Sequence, residues 1–526
     1  MNWCGNLKED TIMKMSRIIF AAAFAAILFS CTKENLRETP KVNLSFNVTN
    51  EESASKAALN ANAVEFQAGD QIGVWDGTSM NCFETTTGGA NASFSGTASA
   101  ADSYILVSPF SANYSVNGSV VTYSIPEIQV ATPGSADPNA LVSMAKAVGA
   151  SGDVTLYNCV GLVKVVVPDG LTVKEIHVGG GSGSTVGICG SFTFNTNEKT
   201  VNYVDAGSMR TSITLVPQAG QNIIAPGTYY IAVRPNTYAG LTLAYVNADN
   251  QLCKRTTANS VAVERNHIRP VGSLNTTNYT AVTGRATLRY AGASPQFTGL
   301  IKKLAIGTNE DLAANVTDNV IKKIVFRAHK LPYKAGGTNI QNGPNSDIAI
   351  LAWIDGDTAY IYTEAPIITL YGSDTNNSAD LFRDFAALEE VSFNDVNTMA
   401  NTSISYMFRN DTKIKKVDFG NADFSNVKDY SFMLANCGKL EYLSFGETST
   451  LATANMTKAL KNANGLKYLY FGKNFSLPSN NNTEFMTGTA QLSAPCDLYC
   501  SQDMYDALVG TTSAGFNSSY FTYHAL

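Results

Sequence analysis

A 26-residue repeat in the last third of the chain constrains its fold more than any other feature. One apolar pattern, L-x-x-V-x-F in its first copy, begins at four positions 26 residues apart, Leu388, Ile414, Leu440 and Leu466. A second apolar line keeps the same period, and so does a line of asparagines: Asn410, Asn436 and Asn462. Repeats of this length predict a stacked array, in which each unit buries its apolar face only against its neighbours.

The spacing inside one unit predicts its local structure. Apolar residues three and then two positions apart are typical of a turn that enters a short strand. The second apolar line falls in segments such as Ser405–Arg409, where we predict a short helix. The asparagine lies between that helix and the next strand, so we expect it to hydrogen-bond the loop backbone of the next coil rather than a ligand. Together these features predict a leucine-rich-repeat-like coil.

Length and charge restrict the function classes. A chain of 526 residues is long enough for two or three domains. Its net charge is −6 and its sequence has no basic cluster, so it lacks the basic patch expected of a nucleic-acid-binding protein. No apolar run approaches the roughly 20 residues of a membrane-spanning helix.

The start of the chain has the pattern of an export signal. Lys14 and Arg17 precede the apolar run 18–29, which is too short to span a membrane, and Cys31 follows it. A cysteine that closes such a run resembles the bacterial lipobox, in which that cysteine is acylated and becomes the first mature residue. The resemblance implies lipidation of Cys31, and the alternative is an ordinary secretory signal followed by an incidental cysteine.

The remaining cysteines do not form a disulfide framework. Seven are left after Cys4 and Cys31, an odd and scattered set. Cys496 and Cys500 could form a bridge or bind a metal, but the only nearby histidine is His524. We therefore predict structural thiols or one local disulfide, with no metal and no cofactor.

Residues 42–275 have the pattern of β-structure. Short alternating strands recur about every dozen residues without a helical period, which predicts antiparallel sandwiches. The predicted strands cover 42–48, the middle of 69–77, 104–109, 120–126, 156–167, 175–178, 190–194, 212–216, 227–234 and 241–245. A linker rich in Thr, Asn, Ala and Gly follows, and then a lead-in strand at 321–326 and paired strands at 347–354 and 358–363.

Two family resemblances follow from longer motifs. The segments GDQIGVWDG (69–77), LYNCVGLVKVVV (156–167) and APGTYYIAVRPNTYAGLTLAYV (225–246) occur in the order seen in fimbrillin-like proteins of Bacteroides and relatives. This resemblance implies two transthyretin-like sandwiches and a pilus stalk, anchor or tip subunit that is exported as a lipoprotein. The segment ADFSNVKDYSFMLANCGKLEYLSF (422–445) resembles BspA-type leucine-rich-repeat surface proteins, and CDLYCSQDMYDAL (496–508) resembles their terminal cap strand and helix.

The predicted fold is mainly β, with two transthyretin-like antiparallel β-sandwiches followed by a C-terminal α/β solenoid of 26-residue period. The predicted divisions are a signal segment at 1–31 with its true start at Met13 or Met15, a tether at 32–41, sandwiches at 42–150 and 151–275, a linker at 276–300, a lead-in cap at 301–380, the array at 381–491 and a final cap at 492–526.

Two function classes remain. The first is a lipid-anchored adhesin or fimbria-associated protein of the outer membrane surface, whose partner is a host or bacterial surface protein, a glycan or another pilus subunit. Its candidate binding face is the set of variable strand positions Glu389, Glu390, Ser392, Lys415, Lys416, Asp418, Glu441, Tyr442, Ser444, Lys467, Tyr468 and Tyr470. The second class captures or processes a carbohydrate, and an acidic pair with shifted pKa values in a cleft would favour it.

No sequence motif supports catalysis. The four histidines are far apart in the sequence, and no metalloprotease, esterase or Cys/His pattern occurs. The fimbrillin resemblance implies proteolysis after an early arginine, but no arginine occurs between Arg37 and Arg210, and the repeats occupy the end where stalk subunits carry a donor segment. We therefore expect a tip-like or accessory protein, not a stalk subunit.

Overall fold

The structure is a computed structural model of the chain. It describes residues 40–51, 65–111, 113–180, 186–204, 209–289, 296–307, 317–343, 345–371, 381–382, 385–398, 403–409, 411–488 and 495–526. The predicted signal segment with Cys31, most of the tether and the predicted repeat residue Asn410 lie outside these ranges. No helix in the described ranges is both long enough and apolar enough to cross a membrane.

The elements follow one another in this order. The first ten strands are β1 (Lys41–Asn50), β2 (Gln71–Trp75), β3 (Met80–Thr85), β4 (Asn91–Ser99), β5 (Ser103–Ser108), β6 (Ser115–Asn117), β7 (Val120–Ile125), β8 (Ile128–Val130), β9 (Ser143–Val148) and β10 (Ser151–Asn158). The next are β11 (Gly161–Val167), β12 (Glu175–Gly180), β13 (Gly190–Asn195), β14 (Thr200–Tyr203), β15 (Ser212–Val216), β16 (Gly227–Val233), β17 (Asn236–Tyr238), β18 (Leu241–Val246), β19 (Leu252–Thr256), β20 (Val261–Val263), β21 (Ile268–Ser273), β22 (Thr280–Ala281) and β23 (Ala286–Arg289).

The last part contains α1 (Phe297–Ile306), β24 (Lys323–Arg327), β25 (Thr338–Asn339), β26 (Ile350–Asp355), β27 (Thr358–Thr363), β28 (Ile368–Tyr371), β29 (Glu390–Ser392), β30 (Val396–Thr398), β31 (Lys416–Asp418), β32 (Tyr442–Ser444), β33 (Tyr468–Gly472), β34 (Cys496–Cys500), α2 (Gln502–Gly510) and β35 (Phe521–Ala525). The described residues also include short 3-10 turns at 138–140, 512–514 and 518–520.

The first sheet closes into a barrel in the order β1-β10-β9-β5-β2-β3-β4. Alternate residues of β1, Leu44, Phe46 and Val48, are buried inside it, as the two-residue period of a strand requires. We predicted antiparallel pairing throughout, but β1 and β10 run parallel, and so do β11 and β21. The mainly β class is correct, and these parallel pairs correct the purely antiparallel expectation.

The predicted long strand at 156–167 is two strands. β10 ends at Asn158 in the barrel, whereas β11 begins at Gly161 and pairs with β16 in another sheet. Between them the N–H of Cys159 donates to Val142 and its carbonyl accepts the Tyr123 hydroxyl, so these two polar groups are satisfied outside either ladder. β7 and β8 precede residue 150 and so belong to the predicted first sandwich, but they pair with β13 and β15 of the predicted second sandwich. The sheets therefore interlock across the position where we divided the two sandwiches.

The predicted linker at 276–300 also contains ordered elements. β23 pairs in parallel with β28, and its side chains Ala286 and Leu288 are fully buried. Phe297, at the start of α1, packs edge to face on Phe382. Burial of this apolar surface ties the segment to the repeats, so it is not a free tether.

The repeats form the parallel part of a ten-stranded sheet, ordered β25-β26-β27-β24-β29-β31-β32-β33-β34-β35. Between β29 and β33 each residue pairs with the residue 26 positions later, without a shift of register. The lead-in strand and the paired strands β26 and β27 join the same sheet, as predicted. The repeated apolar residues are buried, including Leu388, Ile414, Leu440 and Leu466, and the repeat phenylalanines stack in a column beneath the strands.

The predicted helix at Ser405–Arg409 is a turn. Tyr406 has φ 60°, and its counterparts Phe432, Lys458 and Glu484 have φ between 56° and 57°, a left-handed conformation that an α-helix excludes. Alternate N–H groups here donate to the next coil, as in Phe408 to Met433 and then Leu434 to Ala459, while Met407 and Arg409 donate within their own turn. Each coil is thus hydrogen-bonded to its neighbour on both its strand side and its turn side.

The asparagine line is structural in the described copies. Asn436 and Asn462 have φ of 65° and 59°, a conformation that asparagine tolerates better than most residues. Their backbone N–H groups donate to Lys461 and Thr487 of the next coil, and the Asn462 Nδ2 donates to the Asn436 Oδ1 over 2.8 Å. The coil-to-coil contact that we expected is present, although the asparagine side chains bond each other.

Candidate interaction face

The outer face is the side of the parallel strands β29, β31, β32, β33, β34 and β35 that lies opposite the phenylalanine column. It continues onto β24 and β27, where Tyr333 packs on Tyr360 and Tyr362. Since alternate strand residues point to opposite sides, the same positions of successive strands form rows across this face. The first row, which we name the charged row, holds the residues just before six consecutive strands: Asp357, Lys322, Glu389, Lys415, Glu441 and Lys467. Their charges alternate strictly.

The charged row is paired within itself. Lys322 lies 3.1 Å from Asp357, and its hydrogen bond lowers the pKa of that carboxyl. The next two pairs are Lys415 with Glu389 at 2.6 Å and Lys467 with Glu441 at 2.9 Å. These side chains are between 35% and 69% exposed, so solvent screens each pair and its contribution to stability is small. The row is thus an accessible strip of alternating charge, and the fold depends little on it.

Aromatic rings occupy the end of the face nearest the C-terminus. The rings of Tyr442 and Tyr468 stack with centroids 4.6 Å apart, and those of Tyr499 and His524 with centroids 4.4 Å apart. The ammonium of Lys416 lies 5.0 Å from the centroid of Tyr442, within cation–π range. Because neighbours cover the ring faces, partners meet ring edges and hydroxyls, which is unlike a platform on which a sugar stacks.

Eleven of the twelve predicted face residues are exposed or half-buried. Ser444 is the exception and corrects the prediction, because it is only 7% exposed and its Oγ accepts a hydrogen bond from the N–H of Gly446. Tyr470, in the same row, donates its hydroxyl to Glu447, and burial together with that carboxylate raises its pKa to about 12. Whether these positions bind a partner stays a prediction.

A cleft of about 330 Å³ lies at the junction between β12 and the repeats. Lys330, only 14% exposed, forms an ion pair with Glu175, and Nε2 of the buried His177 lies 3.2 Å from the same carboxylate. Burial alone would raise the pKa of Glu175, but the hydrogen bond from His177 and the charge of Lys330 lower it well below its ordinary value. Burial lowers the pKa of His177, so this imidazole is neutral at neutral pH.

Glu127 lines the same cleft, and burial raises its pKa against the opposing charge of Arg210. The Arg210 side chain lies 3.5 Å from Glu127 and 2.9 Å from Asp355 of β26. The cleft therefore holds two carboxylates whose pKa values shift in opposite directions. Glu175 is paired with Lys330, and Glu127 is paired with Arg210, which also contacts Asp355. Both bases therefore join the β-rich part of the chain before residue 275 to the part that contains the repeats.

Sequence reasoning missed this junction. Glu175 and Lys330 form an ion pair in the fold, yet no motif or period relates them. The charged row was partly visible, because Glu389, Lys415, Glu441 and Lys467 follow the repeat period. Its other two members lie outside that period, and only the pairing of β24 and β27 adds them.

No protein-family model matches the chain, and no curated protein matches it. Several solved structures are similar over about half of it. A candidate cell adhesion protein from Bacteroides uniformis has 16% identity and a TM-score of 0.31, with coverage of 45% of this chain and 96% of that one. A candidate cell adhesion protein from Bacteroides ovatus has 12% identity, a TM-score of 0.30 and coverage of 46% and 96%.

The tip fimbrial protein Mfa3 from Porphyromonas gingivalis, truncated at its C-terminus, has 10% identity and a TM-score of 0.23, with coverage of 46% of this chain and 99% of that one. At such scores these likenesses carry no argument about function. The proposals below rest on the residues of this chain.

Proposed function

We propose that the chain is a cell-surface adhesin or a tip-like, fimbria-associated accessory protein that binds its partner through the outer face. In this proposal the β-rich part up to residue 275 is the fimbrillin-like stem, and the array is a BspA-type, leucine-rich-repeat-like recognition domain. The carrying observation is the outer face itself, which from β29 to β33 presents exposed or half-buried charged and tyrosine side chains on adjacent parallel strands.

Three properties of the outer face support binding. Its strands keep one register from β29 to β33, so the side chains stand in fixed rows. Stacking already restricts its tyrosine side chains, so these side chains lose little further conformational entropy when a partner binds. Tyrosine is also a residue that protein interfaces favour.

The test is a matched pair of variants of the full chain, applied to arrays of glycans and matrix proteins. The face variant carries Lys415→Ala, Glu441→Ala and Lys467→Ala. The control carries Lys458→Ala, Lys461→Ala and Glu484→Ala, which removes the same charges from an ion-paired cluster on the turn side. We expect the face variant to bind at least about tenfold more weakly, since several contacts of about 0.5 kcal/mol are lost together, and the control to bind normally.

The junction cleft favours a second candidate function, the capture or processing of a carbohydrate. Its acidic pair has the opposed pKa shifts that this function would use. The same arrays separate the two candidates. Glycan binding that the face variant retains, and that Glu127→Gln abolishes, would replace the outer face by the cleft as the binding site.

We also propose that the chain is held at the outer membrane by a lipid on Cys31, supported by the basic and apolar pattern before that residue. Intact mass analysis of the mature N-terminus measures this directly. We expect an N-terminal acylated cysteine followed by Thr32. A mature chain without lipid that begins inside the first barrel would contradict the anchor.

A further inference from the structure

We propose that two buried histidines, His177 and His329, make the contact between the β-rich part and the repeats open in mildly acidic solution. This device acts at the junction, apart from the outer face of the proposed function. Of the four histidines of the chain, these two are buried, with 1% and 7% exposure, and each comes from a different side of the junction. The side chains of His267 and His524 are 41% and 39% exposed.

His177 lies on the face of its sheet that the repeat part covers. Along β12, Ile176 and Val178 belong to the core of the β-rich part, so His177 between them points to the opposite face. The segment 328–333, which we name the junction segment, covers that face with Leu331, which is 6% exposed. The buried apolar side chains that pack with Leu331 are Ala244, Val246 and Leu252, and Ala244 is paired directly with His177 across the strands.

Main-chain hydrogen bonds join the junction segment to both parts of the chain. On the side of the repeats, the N–H of His329 donates to the carbonyl of Ala365 over 2.7 Å. On the side of the β-rich part, the N–H of Thr211 donates to the carbonyl of Tyr333 over 2.7 Å, and its hydroxyl donates to the carbonyl of Pro332 over 2.8 Å. The N–H of Thr211 therefore reports whether the contact is closed.

The surroundings of His177 make a positive charge on its ring unfavourable. Its Nδ1 lies 3.1 Å from the hydroxyl of Thr214, and its Nε2 lies 3.2 Å from the carboxylate of Glu175. That carboxylate is already paired with Lys330, whose charge opposes a second cation at this place. Burial lowers the pKa of His177 against the attraction of the carboxylate, so the ring is neutral while the contact is closed.

His329 is in a similar state within the junction segment. Its Nδ1 lies 3.4 Å from the carbonyl oxygen of Pro366, and its Nε2 lies 3.7 Å from the carboxylate of Asp395. Burial lowers the pKa of His329, and the negative charge of Asp395 offsets this lowering only in part, while the charge of Lys330 adds to it. Both histidines thus favour the neutral form when the two parts are in contact.

Acid therefore favours the open contact. A histidine in water has a pKa of about 6.5 and takes up a proton below that pH. Because the closed contact lowers the pKa of both rings, their contribution to its stability is complete above about pH 6.5 and is lost as the pH falls toward the lowered values. The two rings act in the same direction.

The other groups at the junction do not reverse this effect. The pKa of Glu175 is lowered, so its contribution is lost only below its ordinary value of about 4.3. Burial raises the pKa of Glu127, which opposes the two histidines as a single group. Burial also raises the pKa values of Tyr333 and Tyr362, which stay neutral. Further charged groups of the described junction are Arg210, Lys254, Arg327, Lys334, Asp355 and Glu364.

The experiment is hydrogen exchange of the backbone amides of the full chain near neutral pH and about 1.5 pH units below the ordinary pKa of histidine, corrected for the intrinsic exchange rate at each pH. We expect the protection of the Thr211 amide to fall at least about tenfold at the lower pH, because both rings then take up protons in the open form. The amide of Phe419, which donates to Ser444 over 2.9 Å inside the array, should keep its protection. Exchange of the imidazole C2 protons in the same samples gives the pKa of each histidine.

Two double variants identify the groups responsible. The first carries His177→Gln and His329→Asn, which remove both titrating rings, and asparagine tolerates the φ of 44° at position 329. We expect its Thr211 amide to be protected equally at both pH values. The matched control carries His267→Gln and His524→Gln, which remove the exposed histidines, and we expect it to lose protection in acid as the unchanged chain does.

Three results overturn the inference. They are Thr211 protection that does not change with pH in the unchanged chain, a first variant that loses protection in acid as the unchanged chain does, and an equal loss at Phe419, which indicates global unfolding. If the first variant does not fold at neutral pH, as judged by the Phe419 amide, the C2 exchange of the unchanged chain decides. Ordinary or raised pKa values for His177 and His329 then overturn the inference.

Discussion

Replacement of Phe419 by alanine is expected to lower the free energy of unfolding of the repeats by about 3–5 kcal/mol. The ring is fully buried and stacks between Phe393 at 5.0 Å and Phe445 at 5.3 Å, while Phe424 meets it edge to face at 4.8 Å. Truncation leaves a cavity in the middle of the column. Since each coil buries its apolar side only against its neighbours, the loss extends to the coils on both sides.

Urea denaturation combined with hydrogen exchange of peptides from the array measures this effect. Tyr470→Ala is the control, because it removes a ring of similar size from the outer face, where Tyr470 is only partly buried. We expect that control to cost about 1 kcal/mol. Equal losses for the two variants would show that the phenylalanine column is not the core of the array.

Gly446→Ala is expected to be nearly as damaging, at about 3 kcal/mol or more. Gly446 has φ 58°, where a side chain is strained by about 1 kcal/mol. An added Cβ would also lie 1.9 Å from the carbonyl oxygen of Gly420 in the preceding coil. That oxygen belongs to the backbone, so the two coils must separate and the hydrogen bonds between them must lengthen.

Gly510→Ala provides the contrast, because a Cβ on Gly510 would meet nothing within 4 Å. The alanine there should be neutral or slightly stabilising. The readout is exchange of the amide hydrogens that join the coils, such as that of Phe419 to Ser444. If Gly446→Ala leaves their protection unchanged, the close approach of the coils does not limit stability.

Periodicity located the strands that pair with a 26-residue register, because a residue that recurs every 26 positions occupies the same place in each repeat. It located the buried leucines, the phenylalanine column and the structural asparagines. The same reasoning could have found Gly420, Gly446 and Gly472, which directly follow the repeat phenylalanines. Each has positive φ, and each would bring its Cβ within 2.0 Å of an atom of the preceding coil.

Local pattern failed where the hydrogen-bond partner lies far along the chain. The segment Ser405–Arg409 has the apolar spacing of a helix, but the N–H groups of Tyr406 and Phe408 bond the next coil, which no short window of sequence reveals. The sequence 156–167 predicts one continuous strand because both of its halves are apolar. In the structure the first half belongs to β10 and the second half is β11, and the two lie in different sheets. The junction between Glu175 and Lys330 has no periodic signature and depends entirely on how the two parts meet.

The charged row has a property of parity. Its six members form three pairs, each of one acid and one base on adjacent strands. Duplication or loss of a single 26-residue unit, a change that repeat proteins tolerate structurally, makes the number of members odd. One charged side chain of the row is then left over from this pairing, so the number of units sets the charge that the row presents as well as the length of the array.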